Sequence, residues 1–238
     1  MTKFNHQDAP SLQSAQELLN TSSWFIKLSC DAQGKIKESI LEIDIPMGNA
    51  LGTRGQMPGF WYGVIDGLLK WSVTSSDGRT VSLGGQLSGS WFGEGTLIRQ
   101  KPRAADVIAL RNCKLALMPL DIFQWLRKTQ PTFNDFLLQQ ITERLHWFMG
   151  KHVDHALLGF DAHVARALCG LLHNLHNPNP TMHLRISQEE LANMAAMSRP
   201  RCNQALCKMR KQGWIRTEYG GITLLNVVAL NNLADRGL

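Results

Sequence analysis

The sequence predicts an α+β protein: an antiparallel, jelly-roll-like β-roll, then one long helix, then a small helical unit closed by a β-hairpin. Three observations carry that expectation. Twelve of the twenty glycines fall between Gly48 and Gly95, punctuating short β-type runs as a corner-rich roll requires. Thr132 to Met149 contains neither glycine nor proline, the mark of an uninterrupted helix. Beyond it, Ser198 to Arg216 carries six cations and no acid.

A chain of 238 residues with 44% hydrophobic content can build two cores. The net charge of +6 equals the contribution of Arg199, Arg201, Lys208, Arg210, Lys211 and Arg216, so the other residues sum to neutrality and one segment alone points to a polyanion. Five cysteines, Cys30, Cys113, Cys169, Cys202 and Cys207, are odd in number and scattered without a C-x-x-C, which argues for reduced thiols and against a disulfide framework or zinc site. No apolar stretch approaches the roughly 20 residues of a membrane helix, and the start lacks a secretion signal. A cytoplasmic protein with no membrane partner is expected.

Along the chain, a disordered start leads into short helical pieces around "AQELLNTSSWFIKL", and from about Lys35 to Pro119 the texture is β-type, with Asp77-Gly78 as a tight hairpin turn. Trp61, Trp71, Trp91, Phe60 and Phe92 serve the roll's core or line a cavity in it, the core being the commoner use. In the long helix, Leu138, Ile141, Leu145, Phe148, His152 and His155 recur at spacings of three and four, a seam on which two copies would pair. His152 and His155 would bring four imidazoles together there; seam-end or exposed histidines are the commoner case, and no metal site is expected.

The last unit is the most specific. Ser187-Gln188-Glu189-Glu190 has the form of a capping box opening one helix, and Ser198 with Pro200 two positions on can open a second. Ala205, Leu206 and Met209 would face inward on that second helix, and Arg199, Arg201, Gln204 and Lys208 outward. "WIRTEYGGITLLN" then reads as strand, glycine turn, strand. This is a winged helix-turn-helix, which sets its second helix in the DNA major groove. Arg199, Arg201, Asn203 and Gln204 suit base edges, and Lys208 suits phosphates. Ser198 and, at the start of the first helix, Ser187 and Gln188 complete the candidate DNA contacts. The expected divisions are 17–127 for the roll, 128–158 for the dimerisation helix and 159–238 for the DNA-binding unit.

On "DGRTVSLGGQLSGSWFGEGTL", "RLHW" and "ISQEELANMAAMSRPRCNQALCKMRKQGWI", the chain resembles the Crp/Fnr family of bacterial transcription regulators over about residues 17 to 230. The resemblance implies a homodimer on a palindromic stretch of double-stranded DNA, engaging RNA polymerase and usually activating transcription. Arg199 matches the arginine that pairs with guanine, and Ser198 and Gln204 match neighbouring contact positions. Pro200 stands where many members carry a base-reading glutamate, so the half-site departs from the best-known consensus.

The same resemblance implies an effector pocket at Gly93, Glu94, Arg103, Ala104 and Phe148. Members that bind cyclic nucleotides hold the ribose with a Gly-Glu pair and the phosphate with Arg-Ser or Arg-Thr. Gly93-Glu94 matches the first pair, whereas Arg103 is followed by Ala104. Phe148 and Met149 replace the polar residues that would meet the base. Losing the hydroxyl costs about 1.5–3 kcal/mol, so the frame lacks the full phosphate grip, and the residues identify no other cofactor. Glu94 and Arg103 are left free to pair with each other, and an unidentified apolar or acidic effector remains open.

Three alternatives differ in chemistry. A cupin-like metalloenzyme needs roll histidines, and none lies between His6 and His146. Cyclic-nucleotide-, haem- or redox-responsive regulators share the architecture, but haem and redox sensors need a roll histidine or an N-terminal cysteine cluster, and this chain has neither pattern. No G-x-S-x-G, P-loop or Cys/His pair suggests catalysis.

Overall fold

The computed structural model describes residues 12–78, 80–157, 159–172, 182–218 and 220–234, with the backbone alone at 151–157. Helices α1 (Ala15–Thr21) and α2 (Cys30–Ser39) precede the roll, each opened by a serine hydroxyl, Ser14 or Ser29, that accepts a first-turn N–H. The second helix runs past Lys35, where β structure was expected to begin. Ala32 and Ile36, four residues apart, form a buried stripe that holds this segment helical.

The strands are β1 (Leu41–Ile45), β2 (Ala50–Gly52), β3 (Phe60–Asp66), β4 (Leu68–Thr74), β5 (Thr80–Leu87) and β6 (Trp91–Phe92); after the short helix α3 (Glu94–Arg99) come β7 (Asp106–Ala109) and β8 (Cys113–Pro119). They form two four-stranded antiparallel sheets, ordered β1-β8-β3-β6 and β2-β7-β4-β5. The Asp77-Gly78 turn is present: Gly78 adopts φ +82° and donates its N–H to Ser75 at 3.0 Å. At Gly67, φ is +116°, and an added Cβ would stand 2.8 Å from the Cys113 Cα. This glycine splits one β-type run into β3 and β4.

Alternation along β3 sorts the cores. Tyr62 and Val64 point between the sheets toward Leu69, Val107 and Leu115, while Trp61 and Ile65 point outward under the helices. There Trp61 stacks on Trp91 with ring centroids 4.6 Å apart, and Trp24, Phe123, Phe133 and Phe136 close the cluster. Trp61, Trp91 and Phe92 are therefore core residues; Phe60 and Trp71 are half-buried at its edge.

Helix α4 (Leu120–Thr129) leads into the long helix α5 (Pro131–Leu157). Phe133, Phe136, Leu137 and Gln140 pack on the roll, whereas Leu138 and Leu145, at 66% and 57%, are exposed together with Ile141, Phe148 and Met149. The helix thus has a second apolar face directed to solvent. The side chains of His152 and His155 lie outside the described residues.

The C-terminal unit comprises α6 (Phe160–Leu172), β9 (His183–Leu184), α7 (Gln188–Met194), α8 (Arg199–Lys211), β10 (Ile215–Glu218), β11 (Gly221–Leu224) and α9 (Val227–Ala234). It leans on the roll. Leu68 of β4 belongs to its apolar cluster, Met194 fills the space beside Gly85, and Arg111 donates to both Glu190 carboxylate oxygens at 3.1 Å.

Gly67→Ala is expected to destabilise the protein by about 2–4 kcal/mol, since it adds both left-handed strain and a clash with Cys113. A lowered urea midpoint with unchanged slope checks this.

Candidate nucleic-acid interface and sensory pocket

The reader is built from its caps outward. Ser187 Oγ accepts the Glu190 N–H at 3.2 Å, and Glu190 Oε2 accepts the Ser187 N–H at 2.7 Å, completing the capping box of α7. The turn after it places Ala196 at φ +53°, a conformation in which Cβ crowds the backbone. Ser198 occupies the N-cap of α8, but its hydroxyl accepts no capping hydrogen bond, contrary to the expected cap. An N-cap oxygen takes its bond from the second or third helical N–H; Pro200 at the second position has none, and the remaining donor, the Arg201 N–H, is not bound by Ser198.

Helix α8 buries Cys202, Ala205, Leu206 and Met209 and exposes Ser198, Arg199, Arg201, Asn203, Gln204 and Lys208. The inward and outward sets agree with the sequence pattern, with Cys202 added; burial pushes its thiol pKa up to about 11, so it is inert at neutral pH. The outward residues differ in their commitments. Lys208 Nζ lies 2.7 Å from Asp161, and the Arg201 guanidinium sits 4.4 Å from the Phe160 ring centroid. Arg199 and Gln204 meet no partner among the described residues. Ser187 is engaged in its capping box, and Gln188 is half-buried at the start of α7. Beside the reader, β10 and β11 pair antiparallel around Gly220 at φ +76°, forming the wing, and β9 adds a third strand that sequence reasoning missed.

The pocket residues divide differently. Glu94, the first residue of α3, is 2% exposed; its carboxylate pairs with Arg144 and accepts from Gln140 Nε2 at 3.1 Å and Trp61 Nε1 at 3.4 Å. Arg144 also donates to the Trp91 carbonyl at 2.7 Å and lies 5.2 Å from the Trp71 ring centroid. The expected Glu94–Arg103 pair is thus replaced by Glu94–Arg144. Arg103 is buried, stands against Gly52, and donates to the Tyr62 hydroxyl at 2.7 Å. Burial pushes the Tyr62 phenol pKa up, with the Arg103 charge opposing. Gly93 takes φ +100° ahead of α3, and Ala104 is exposed.

A cavity of about 480 Å³ opens nearby. Of the five pocket candidates, Phe148 lines it; Gly93, Glu94, Arg103 and Ala104 do not. Gln140 and Arg144 were missed as site residues. Their spacing of four on α5 was the available signal. Among the described residues no three of His, Cys, Asp and Glu gather as metal ligands, and no helix is long and apolar enough to cross a membrane.

A β-roll joined by a long helix to a winged helix-turn-helix defines a DNA-binding transcription regulator. Residues 42–130 match the profile of the cyclic nucleotide-binding domain, and residues 162–233 match that of the Crp-like helix-turn-helix domain. The CRP-like cAMP-activated global transcriptional regulator of Mycobacterium tuberculosis is 24% identical over 206 residues, covering 85% of this chain and 92% of that protein. The cAMP-activated global transcriptional regulator Vfr of Pseudomonas aeruginosa is 26% identical over 162 residues, covering 65% of this chain and 75% of Vfr. Among solved structures, FixK2 from Bradyrhizobium japonicum superposes with a TM-score of 0.68 at 16% identity, over 82% of this chain and 96% of that one. The chain belongs to the Crp/Fnr family of transcription regulators.

Ala196→Gly is expected to raise the stability of the reader by about 1 kcal/mol, by removing left-handed strain in the turn; the thermal midpoint reads it. Arg144→Ala should lower stability by about 3 kcal/mol or more, because it leaves the Glu94 carboxylate buried without its cation; the urea midpoint reads that.

Proposed function

We propose that the protein is a cytoplasmic homodimer that reads a palindromic operator with one α8 per half-site and engages RNA polymerase from that site, its roll answering to an effector other than cyclic AMP. The observation that carries this reading is the state of α8: a basic, acid-free helix whose outward face is exposed, with Arg199 and Gln204 without partners among the described residues. An uncommitted guanidinium can meet guanine O6 and N7 without first breaking an internal bond. Lys208 is left for phosphate and Arg201 for a base edge or phosphate, each on leaving its present contact with Asp161 or Phe160. Ser198, whose hydroxyl has no hydrogen bond among the described residues, is open to the same use, and Asn203, Ser187 and Gln188 are assigned the remaining DNA contacts.

Pairing through α5 is supported by its solvent-facing stripe, Leu138, Ile141, Leu145 and Phe148. Burying such side chains stabilises by about 1.5–3 kcal/mol each. On this reading 17–127 is the roll, 128–158 the pairing helix and 159–238 the reader. RNA polymerase as a partner rests on family membership.

Against cyclic AMP stands the engagement of Glu94 by three of the chain's own donors, together with Ala104 where a hydroxyl is needed. A second reading keeps cyclic AMP: Arg103 is a buried cation with no carboxylate partner among the described residues, and the two curated relatives are named as cAMP-activated.

Arg199→Ala is expected to abolish operator-specific mobility shifts while weak nonspecific binding persists; unchanged specific binding would refute the role given to α8. Leu145→Glu should give monomers by light scattering, and a persistent dimer would move the interface off this helix. Calorimetric titration with cyclic AMP is expected to show no micromolar binding; a micromolar isotherm would select the second reading.

A further inference from the structure

Helix α6 begins at Phe160, close behind the long helix, and its first two residues both reach α8. Lys208 Nζ donates to Asp161 Oδ2 at 2.7 Å, and the Arg201 guanidinium lies 4.4 Å from the Phe160 ring centroid. Arg201 and Lys208 stand seven residues apart, two helical turns and about 10 Å along one side of α8. Gln204 lies between them on that side and is exposed. The start of α6 therefore rests against the part of α8 assigned above to the duplex.

From Ser198 to Arg216 the reader carries no acid, so the carboxylate at Lys208 is brought in from another element. It does little for the fold. The Lys208 side chain is 67% exposed and that of Asp161 35%, and pairs so open to water add little stability. Helices α6 and α8 are already joined without it, through Val164 and Leu168 against Cys202 and Leu206 in one buried apolar cluster. A carboxylate and a phosphate oxygen make the same demand on an ammonium group, a charge-assisted hydrogen bond of about 2.7–2.9 Å. Asp161 meets that geometry. The contact between Phe160 and Arg201 anchors the first turn of α6 at this place, which keeps the carboxylate beside Lys208.

We propose that Asp161 is a built-in stand-in for a DNA phosphate: it takes the position on Lys208 that the duplex backbone would take, and so holds the free reader below its full affinity for DNA. The inference rests on α8 being the helix that meets the duplex. Lys208 must leave the carboxylate before it can serve a phosphate, and the carboxylate left behind repels that phosphate. Both effects act on any duplex whatever its sequence. Anything that draws the start of α6 away from α8 removes them and tightens binding.

The test is fluorescence anisotropy of the full-length chain with a labelled mixed-sequence duplex at low salt. Asp161→Asn, close in shape and uncharged, should bind about threefold or more tighter than wild type with an unchanged thermal midpoint. Net charge alone would supply part of that increase, so Lys208→Met is made in both backgrounds. Its cost should be at least about threefold greater in the Asp161→Asn chain, where Lys208 is released to phosphate, than in wild type. The proposal is overturned if Asp161→Asn binds as wild type or weaker, or if Lys208→Met costs the same in both backgrounds. A lowered midpoint for Asp161→Asn overturns it also, because the carboxylate then serves the fold. Failure of the regulator reading has a different signature: neither wild type nor any variant would bind the duplex, and the stand-in would fall with it.

Discussion

A carboxylate inside the roll needs a cation, and the long helix provides it. Glu94 is buried at the start of α3, and Arg144 reaches it from α5, with Gln140 one helical turn earlier completing the hydrogen bonds. Charges taken out of water are tolerated only when paired and fully hydrogen-bonded. The pair therefore fixes how far along and in what rotation α5 lies on the roll. That rotation in turn sends Leu138, Ile141 and Leu145 to solvent and carries α6 to the place where the reader begins.

The reader is held by two kinds of contact with different reach. Leu68 and Met194 make apolar packing with the roll, which is short-ranged and tolerates sliding; Arg111, gripping both oxygens of Glu190 and the Arg185 carbonyl at 2.7 Å, is directional. Glu190 is also the residue that reciprocates the Ser187 cap. One carboxylate thus serves the start of α7 and the attachment of the whole unit.

Most of the architecture was legible in the sequence because it rests on local rules. Glycine spacing gave the roll, the absence of breakers gave α5, and S-x-x-E with the alternating faces of α8 gave the reader. What was not legible depends on partners far apart in the chain. Glu94 reads as a ligand group until Arg144, fifty residues away, is seen beside it. Arg103 reads as an acid's partner, yet it rests on a tyrosine hydroxyl. The two-residue strand β9 is too short for any periodicity, and exists because β11 offers it an edge. Ser198 obeyed the sequence rule for position and failed it for bonding: proline at the second helical position removes one candidate donor, and the Arg201 N–H at the third is not taken up.

The Arg111–Glu190 attachment gives ionic strength two targets in this protein. Counterions compete with the reader's cations for phosphate, and they also screen a bridge whose side chains are 32% and 16% exposed. Raising salt therefore loosens the grip on the duplex and, at the same time, the angle at which the reader is presented. A log–log salt plot of DNA affinity would then bend where the second effect sets in, whereas simple counterion release gives a straight line.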